Sequence, residues 1–153
     1  MLDRKDFLQV VAHAPLVSFD FIVSNEAGQI LLGERINAPA QGYWFVPGGR
    51  IFKDESFNEA FTRLSRNELG YAYAFESAQF AGVFEHHYPD NVANSDVSTH
   101  YIVIALRLQL EDGNALPLDQ HMAYQWLDID ALLASAQVHQ YTKDYFIPMK
   151  GLR

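Results

Sequence analysis

A strand, a glycine-rich loop and a strongly capped helix follow one another in the middle of this chain, and their succession restricts the possible folds. Aromatic and β-branched residues at 43–46 predict the strand. The loop at 47–50, Pro-Gly-Gly-Arg, lets the backbone approach a ligand closely because glycine has no side chain. Ser56 and Glu59 have the spacing of a capping box, and Gly70 supplies the stop signal. Such alternation of strands and helices is typical of α/β domains.

The rest of the chain continues this alternation. Further strands are predicted at residues 16–23, 30–32, 79–84, 101–110 and 124–127, with turns at 25–28 and 112–114. Helices are predicted at residues 5–12, from an Asp128 cap to Ala136, and at 141–147. We therefore predict one layered α/β domain over residues 1–153.

Composition excludes several classes of partner. A chain of 153 residues, 49% of them hydrophobic, has the size of one compact domain. Its net charge of −8 argues against nucleic acid and anionic membrane surfaces, which select clustered Lys and Arg. The absence of cysteine excludes disulfides and disfavours structural zinc. The N-terminus is charged, and no long apolar run follows, so we expect a cytoplasmic protein.

The carboxylate of Glu68 is unusual for its position. It continues the apolar stripe formed by Phe57, Ala60, Phe61 and Leu64, and it lies in the last helical turn. The helix dipole disfavours an acid there, so a buried Glu68 needs a nearby cation. Alternatively, the side chain turns to solvent or pairs with an arginine.

The spacing of residues 49–71 is specific. Five residues separate Gly49 from Glu55, and seven more separate Glu55 from Arg63. Glu68 and Gly70 then follow at the intervals of the Nudix box, G-x5-E-x7-R-E-U-x-E-E-x-G-U, which this segment resembles. The resemblance implies the Nudix fold, an α/β/α sandwich with a mixed β-sheet.

Two glutamates of the box are replaced, by Leu64 and Asn67. Fewer anionic oxygens reduce the number of divalent ions that the helix can hold, so we expect one Mg²⁺ per subunit, for which Mn²⁺ can substitute. This loss, together with the segment 39–50, resembles the GDP-mannose mannosyl hydrolase branch of the Nudix superfamily. Later landmarks of that branch occur in the same order at residues 85–88, 99–101 and 119–121.

The resemblance implies a metal site and a base. The Mg²⁺ ligands would be the Gly48 main-chain carbonyl, Glu68 and the Gln120 side-chain carbonyl, all hard oxygen donors. His121 would be the general base, since imidazole titrates near neutral pH. Taken alone, Gly48 is explained as a turn glycine, and Gln120 and His121 as exposed loop residues.

Further residues are assigned to the substrate by the same resemblance. Arg35 would bind the departing β-phosphate, with Tyr101 donating a hydrogen bond to the same oxygens. Asp20 would lie near the sugar and stabilise positive charge at the anomeric carbon, although strand alternation alone also allows a solvated outer face. His86 and Tyr88 share one strand face and are expected in the same pocket.

Three further residues are assigned by the resemblance, and two of them have simpler explanations. Arg50 and Arg63 resemble residues that steer the diphosphate or brace the loop, but an i,i+4 pair with Glu59 also accounts for Arg63. Phe7 resembles a residue of the segment that reaches the guanosine, but an apolar residue in an amphipathic helix is usually core.

The implied activity is hydrolysis of a nucleotide sugar, GDP-mannose and also GDP-glucose, by a homodimer. Water attacks the anomeric carbon with inversion and releases GDP and free sugar. A metal-bound diphosphate leaves readily, so the acid that ordinary glycosidases need is dispensable. Two alternatives remain: an ordinary Nudix pyrophosphohydrolase that attacks phosphorus, and a catalytically silent domain that senses a nucleotide sugar.

Overall fold

A computed structural model describes residues 1–93, 96–110, 116 and 121–153, but not the side chains of His121 and Met122. These residues contain four α-helices and a 3₁₀ turn: α1 Arg4–His13, α2 Phe57–Leu69, the turn Phe75–Ser77, α3 Ile129–Ala134 and α4 Gln140–Asp144. The strands are β1 Leu16–Ser24, β2 Ile30–Arg35, β3 Trp44–Phe45, β4 Gly48–Arg50, β5 Gln79–Tyr88, β6 Thr99–Gln109 and β7 His121–Leu127. The turn predicted at residues 112–114 lies outside the described residues.

The strands form one mixed sheet. Its main path runs β3-β2-β1-β6-β5, while β4 pairs with β1 and β7 pairs with β2. β1 and β6 are parallel over nine residues of β1, and the other pairings are antiparallel. The predicted α/β fold with a mixed sheet between helices is therefore confirmed.

Both faces of β1 are covered, as expected for a strand in the middle of a mixed sheet. Phe19 and Phe21 pack on one face against Phe61 of α2. Ile22 packs on the other face in a second core that includes Tyr145. Successive side chains of a strand alternate, so Asp20 lies on the Tyr145 side of the sheet.

The helix α2 has the predicted caps. Ser56 and Glu59 exchange both hydrogen bonds of the capping box, and Gly70 ends the helix in the left-handed conformation with φ 78°. Glu68 belongs to the buried stripe, with 6% of its surface exposed. Phe57, in the first turn, was predicted to belong to it but does not: it is 54% exposed, although its ring contacts Phe19.

The expectation of a loop at 48–50 is wrong, because these residues form β4. Gly48 pairs with Asp20 and Gly49 pairs with Phe19. A Cβ on Gly48 would lie 2.5 Å from both Asp20 Oδ1 and the Phe19 carbonyl oxygen. Glycine is required here because two strands come close together.

The C-terminal helices differ in detail from the prediction. α3 ends at Ala134, and the Asp128 side chain makes no capping hydrogen bond. α4 begins at Gln140 and ends at Asp144, so it is shorter than the predicted 141–147. Among the residues that the structure describes, no helix is long and apolar enough to cross a membrane.

Candidate active site

A cavity of about 330 Å³ opens where β1, β4, β5 and β6 meet the N-terminal helix and the end of α2. Nine of the ten predicted site residues that the structure describes in full line it. Those that do are Phe7, Asp20, Arg35, Gly48, Arg50, Glu68, His86, Tyr88 and Tyr101.

The carbonyl of Gly48 points away from β1. Gly48 lies opposite Asp20, and the next pair contains a hydrogen bond of 2.8 Å from the Phe21 amide to the Pro47 carbonyl. Hydrogen-bonded and non-hydrogen-bonded pairs alternate along an antiparallel ladder. Gly48 is therefore in a non-hydrogen-bonded pair, and its carbonyl oxygen is directed away from the strand that it pairs with.

Glu68 lines the same cavity from the last turn of α2. Its main-chain carbonyl accepts a hydrogen bond of 3.3 Å from the Tyr124 hydroxyl, which ties the end of α2 to β7. A buried carboxylate and a main-chain carbonyl are hard oxygen donors of the kind that Mg²⁺ prefers. Within the described parts of the chain, no group of three or more His, Asp or Glu side chains is placed to hold a metal ion.

Two predicted residues cannot be located as side chains. Gln120 lies outside the described residues. His121 is the first residue of β7, and its backbone pairs with Arg35, which lines the cavity. The backbone of His121 therefore lies beside that of a residue that lines the cavity.

Arg35 is held in place from two directions. Its guanidinium lies 3.8 Å from the centre of the Phe45 ring, and Nη1 donates a hydrogen bond of 2.9 Å to the Pro39 carbonyl. Phe45 is itself held by His139, whose ring stacks on the Phe45 ring with centroids 4.7 Å apart. An ordered guanidinium in a cavity is suited to bind phosphate oxygens.

Asp20 is a partly buried carboxylate with an altered acidity. Burial raises its pKa to about 6, against the effect of a hydrogen bond from the Tyr145 hydroxyl and of the Arg35 charge. The negative charge of Glu68 adds to the increase. Asp20 therefore changes its protonation state close to neutral pH, unlike an exposed aspartate.

His86 and the two cavity tyrosines are held in their neutral forms. Burial, together with the Arg35 charge, lowers the pKa of His86 to about 3. Burial raises the pKa of the hydroxyls of Tyr88 and Tyr101 above the usual value. These side chains therefore act at neutral pH as hydrogen-bonding groups without charge.

Arg50 and Phe7 are in contact and form one surface of the cavity, on the side of α1. The Arg50 guanidinium lies 4.4 Å from the centre of the Phe7 ring and 4.7 Å from that of Phe52. Phe7 is half-buried in α1 and lines the cavity, so it is not simply a core residue. A planar guanidinium over an aromatic ring is a favourable cation–π arrangement.

Arg63 does not line the cavity. Its Nε lies 2.6 Å from Glu55 Oε1, and its Nη2 donates to Glu55 Oε2 and to the Arg50 carbonyl at 2.8 and 2.9 Å. These contacts brace the segment that follows β4. The alternative pair with Glu59 is wrong, because the Glu59 carboxylate accepts the capping hydrogen bonds of Ser56.

Two residues of this region were not predicted from the sequence. Asn91 is fully buried at the cavity wall, and its side chain organises the turn after β5 through bonds to the Val97 carbonyl and the Ala93 amide. Tyr145 contacts Asp20 across 125 residues of sequence. The Asp-Asn pair at 90–91 is a turn signal that points to Asn91, whereas no local pattern points to the contact of Tyr145.

Known proteins resemble the chain over most of its length. The model of the family described as NUDIX domain matches residues 14–148. The low-salt glycan biosynthesis protein Agl8 of Haloferax volcanii is 42% identical over 112 residues, which is 73% of this chain and 70% of that protein.

Solved structures share the fold. The MutT protein of Methanosarcina mazei has a TM-score of 0.69 and 23% identity, over 88% of this chain and 92% of that one. A MutT NUDIX hydrolase of Burkholderia pseudomallei has a TM-score of 0.67 and 26% identity, over 87% and 96%. With the family model, the box spacing and the cavity at the end of α2 in agreement, the chain belongs to the NUDIX domain family.

Proposed function

We propose that this protein hydrolyses a GDP-sugar, GDP-mannose first among them, to GDP and free sugar through attack of water at the anomeric carbon. NUDIX hydrolases generally use divalent ions such as Mg²⁺ and act on small nucleotide derivatives. The observation that carries the finer proposal is the presence of Asp20 and Arg35 in the same cavity as Gly48 and Glu68. A second carboxylate beside an anion-binding group suits a reaction that separates a sugar cation from a diphosphate.

The departures from the box also support attack at carbon. Leu64, in place of a glutamate, is buried, and its Cδ2 would lie 2.5 Å from a Cβ on Gly49. Asn67, in place of the other glutamate, is exposed. Glu68 is thus the one acid of the later part of the box that lines the cavity, and one metal ion is what its charge can support.

The diphosphate is assigned to the cationic and neutral donors of the cavity. Arg35 and Arg50 bind its oxygens, and Tyr101 donates a hydrogen bond without adding charge. The Gly48 carbonyl, Glu68 and Gln120 are the proposed ligands of a single Mg²⁺, which when bound offsets the charge of the diphosphate. Each of these residues makes GDP a better leaving group, so no general acid is required.

The sugar and the attacking water are assigned to the other residues. Asp20, as a carboxylate, stabilises the positive charge that develops at the anomeric carbon, and His86 and Tyr88 hydrogen bond to the sugar. His121 accepts the proton of the water, a role supported by the pairing of its backbone with Arg35.

The nucleoside is assigned to the surface formed by Phe7 and Arg50. Aromatic rings and guanidinium planes both stack on nucleobases, and the two are already in contact with each other here. We further propose a homodimer, as the resemblance to the mannosyl hydrolase branch implies. The Haloferax relative is a glycan biosynthesis protein, which is consistent with a nucleotide-sugar substrate.

One other function has a specific observation in its favour. Glu55, Arg63 and Glu68 keep their positions in the box, and the solved structures include MutT proteins. An ordinary pyrophosphohydrolase would use the same framework to attack phosphorus. It would release GMP and a sugar 1-phosphate.

Product identification separates these functions. Purified protein with Mg²⁺ is incubated separately with GDP-mannose and GDP-glucose, and the products are resolved by ion-exchange chromatography. We expect GDP and free sugar. GMP with sugar 1-phosphate would establish the pyrophosphohydrolase instead, and binding of both donors without turnover would establish a sensor domain.

A further inference from the structure

The segment that follows α3 is attached to the strands that carry the cavity. The Trp44 amide donates to the Gln137 carbonyl at 3.0 Å, and the His139 amide donates to the Trp44 carbonyl at 3.1 Å. Farther along, the Tyr141 hydroxyl bonds to both the amide and the carbonyl of His87, at 2.9 and 2.7 Å. α4 is therefore fixed against β3 and β5, and the position of the residue that follows it is fixed as well.

That residue is Tyr145, which is 2% exposed. Its ring packs edge-on against Phe84, with centroids 4.7 Å apart. The Tyr145 hydroxyl donates a hydrogen bond to Asp20 Oδ2. The oxygen of this hydroxyl also lies 3.4 Å from Nε2 of His86. Tyr145 does not itself line the cavity, so any effect that it has on a bound substrate acts through Asp20 and His86, which do.

The donors and acceptors of this group have a definite order. A carboxylate only accepts hydrogen bonds, and a tyrosine hydroxyl has one proton to donate. Since the Tyr145 proton is directed at Asp20, the Tyr145 oxygen is left as an acceptor, and a hydrogen bond between it and His86 places the His86 proton on Nε2. In that tautomer the donors run from His86 to Tyr145 to Asp20.

The two oxygens of Asp20 consequently have different surroundings. Oδ2 accepts the hydrogen bond from Tyr145. Oδ1 lies beside Gly48, and a Cβ on Gly48 would be only 2.5 Å from it. We propose that Tyr145 is a positioning residue, whose hydroxyl fixes the Asp20 carboxylate with Oδ1 toward the reacting end of the bound substrate. This inference rests on the function proposed for Asp20 and assigns no chemical step to Tyr145.

Removal of the hydroxyl should affect turnover rather than binding. Tyr145→Phe keeps the ring that packs on Phe84, but it frees Asp20 to rotate. Misplacement of a catalytic group by about 1 Å lowers rates by about a hundredfold, so we expect kcat to fall about 10- to 100-fold with KM changed less than about threefold.

Tyr141→Phe is the matched control. It removes the two hydrogen bonds to His87 and so weakens the same segment without touching Asp20. We expect kcat within about threefold of the parent. If Tyr141→Phe lowers kcat as much as Tyr145→Phe, the effect is general loosening of the segment, and the proposal is wrong.

A double-mutant cycle tests whether Tyr145 acts through Asp20. Residues that act as a unit give non-additive effects. In the Asp20→Asn background, Tyr145→Phe should lower kcat by less than about twofold. Effects that multiply in full would show that Tyr145 acts independently of Asp20, which contradicts the proposal.

Two structural measurements do not depend on which reaction is catalysed. A crystal structure of Tyr145→Phe should show the Asp20 carboxylate rotated or in two conformers, and an unmoved Asp20 overturns the proposal. If that variant does not fold, the proton spectrum of the parent decides: a sheltered Tyr145 hydroxyl resonance downfield of the amides should be absent or shifted in Asp20→Asn. An unchanged resonance overturns the proposal.

A rotated Asp20 in an enzyme that releases GMP would leave the positioning role intact and refute only the function proposed above.

Discussion

Gly48 shows how closely single residues are restricted at this site. A Cβ there would lie 2.5 Å from the Phe19 carbonyl oxygen and from Asp20 Oδ1, and the carbonyl belongs to the backbone of β1. At Gly49 the corresponding neighbour is Cδ2 of Leu64, the end of a flexible side chain. The two adjacent glycines therefore differ in how much room their surroundings can provide.

This difference gives a prediction for Gly48→Ala and Gly49→Ala. We expect Gly48→Ala to lower the free energy of unfolding by about 3 kcal/mol or more and to abolish activity, since β1 and β4 must separate. Gly49→Ala should lower the free energy of unfolding by about 1 kcal/mol. In a Leu64→Ala background the same substitution should lower it by almost nothing, because the Leu64 side chain no longer occupies the space that the new Cβ needs. Urea unfolding of the parent, the three single variants and the Gly49→Ala/Leu64→Ala double variant measures these differences. Equal losses at the two glycines would contradict the packing described here.

His86 gives a prediction about pH. Burial lowers its pKa to about 3 in the folded protein, whereas the unfolded chain has the ordinary value of 6.5. Below pH 6.5 the unfolded state therefore binds a proton that the folded state does not, so this residue's contribution to stability is lost as pH falls. The loss is about 1.4 kcal/mol for each pH unit within this window.

The measurement is urea unfolding of the metal-free protein at pH 7.5 and pH 5, in parent and His86→Phe. Asp20, whose folded pKa is raised to about 6, changes stability in the opposite direction below pH 6, but it is present in both proteins. We expect the parent to lose about 2 kcal/mol more than His86→Phe between the two pH values. An equal loss would mean that His86 is protonated in the folded protein.

Among the elements, α2 shows what a local pattern can predict. Its capping box, its C-terminal Gly70 and its inward Glu68 are all local features, and all are confirmed. β4 was not predicted, because its partner β1 is some thirty residues away and the Pro-Gly-Gly segment has no strand pattern of its own. The contact between Tyr145 and Asp20 was not predicted for the same reason, since the two residues are 125 positions apart in the sequence. Nine cavity residues were named from the sequence, most of them because the chain resembled a known family.

The position of Glu68 at the end of α2 gives a prediction about metal activation. Glu68→Gln removes the charge but keeps the shape, and loss of a ligand charge should raise the Mg²⁺ concentration for half-maximal activity by about tenfold or more. Glu76→Gln, at an exposed position in the 3₁₀ turn, is the control and should behave as the parent. A parent-like Mg²⁺ requirement in Glu68→Gln would remove Glu68 from the metal site.

At the scale of the whole molecule, the mixed sheet determines which residues meet. The antiparallel pairing of β4 with β1 places Gly48 opposite Asp20. β6 pairs in parallel with β1 and antiparallel with β5, and in the second pairing Tyr101 lies directly opposite His86, so the two side chains are on the same side of the sheet. Residues from at least eight elements thus surround one cavity, and a carboxylate suited to a sugar lies beside groups suited to a diphosphate.

The position of bond cleavage tests this account most directly. GDP-mannose is hydrolysed in water enriched in oxygen-18, and both products are analysed by mass spectrometry. We expect the heavy oxygen in the released mannose and none in GDP, because water attacks the anomeric carbon. Heavy oxygen in a phosphate group of either product would contradict it.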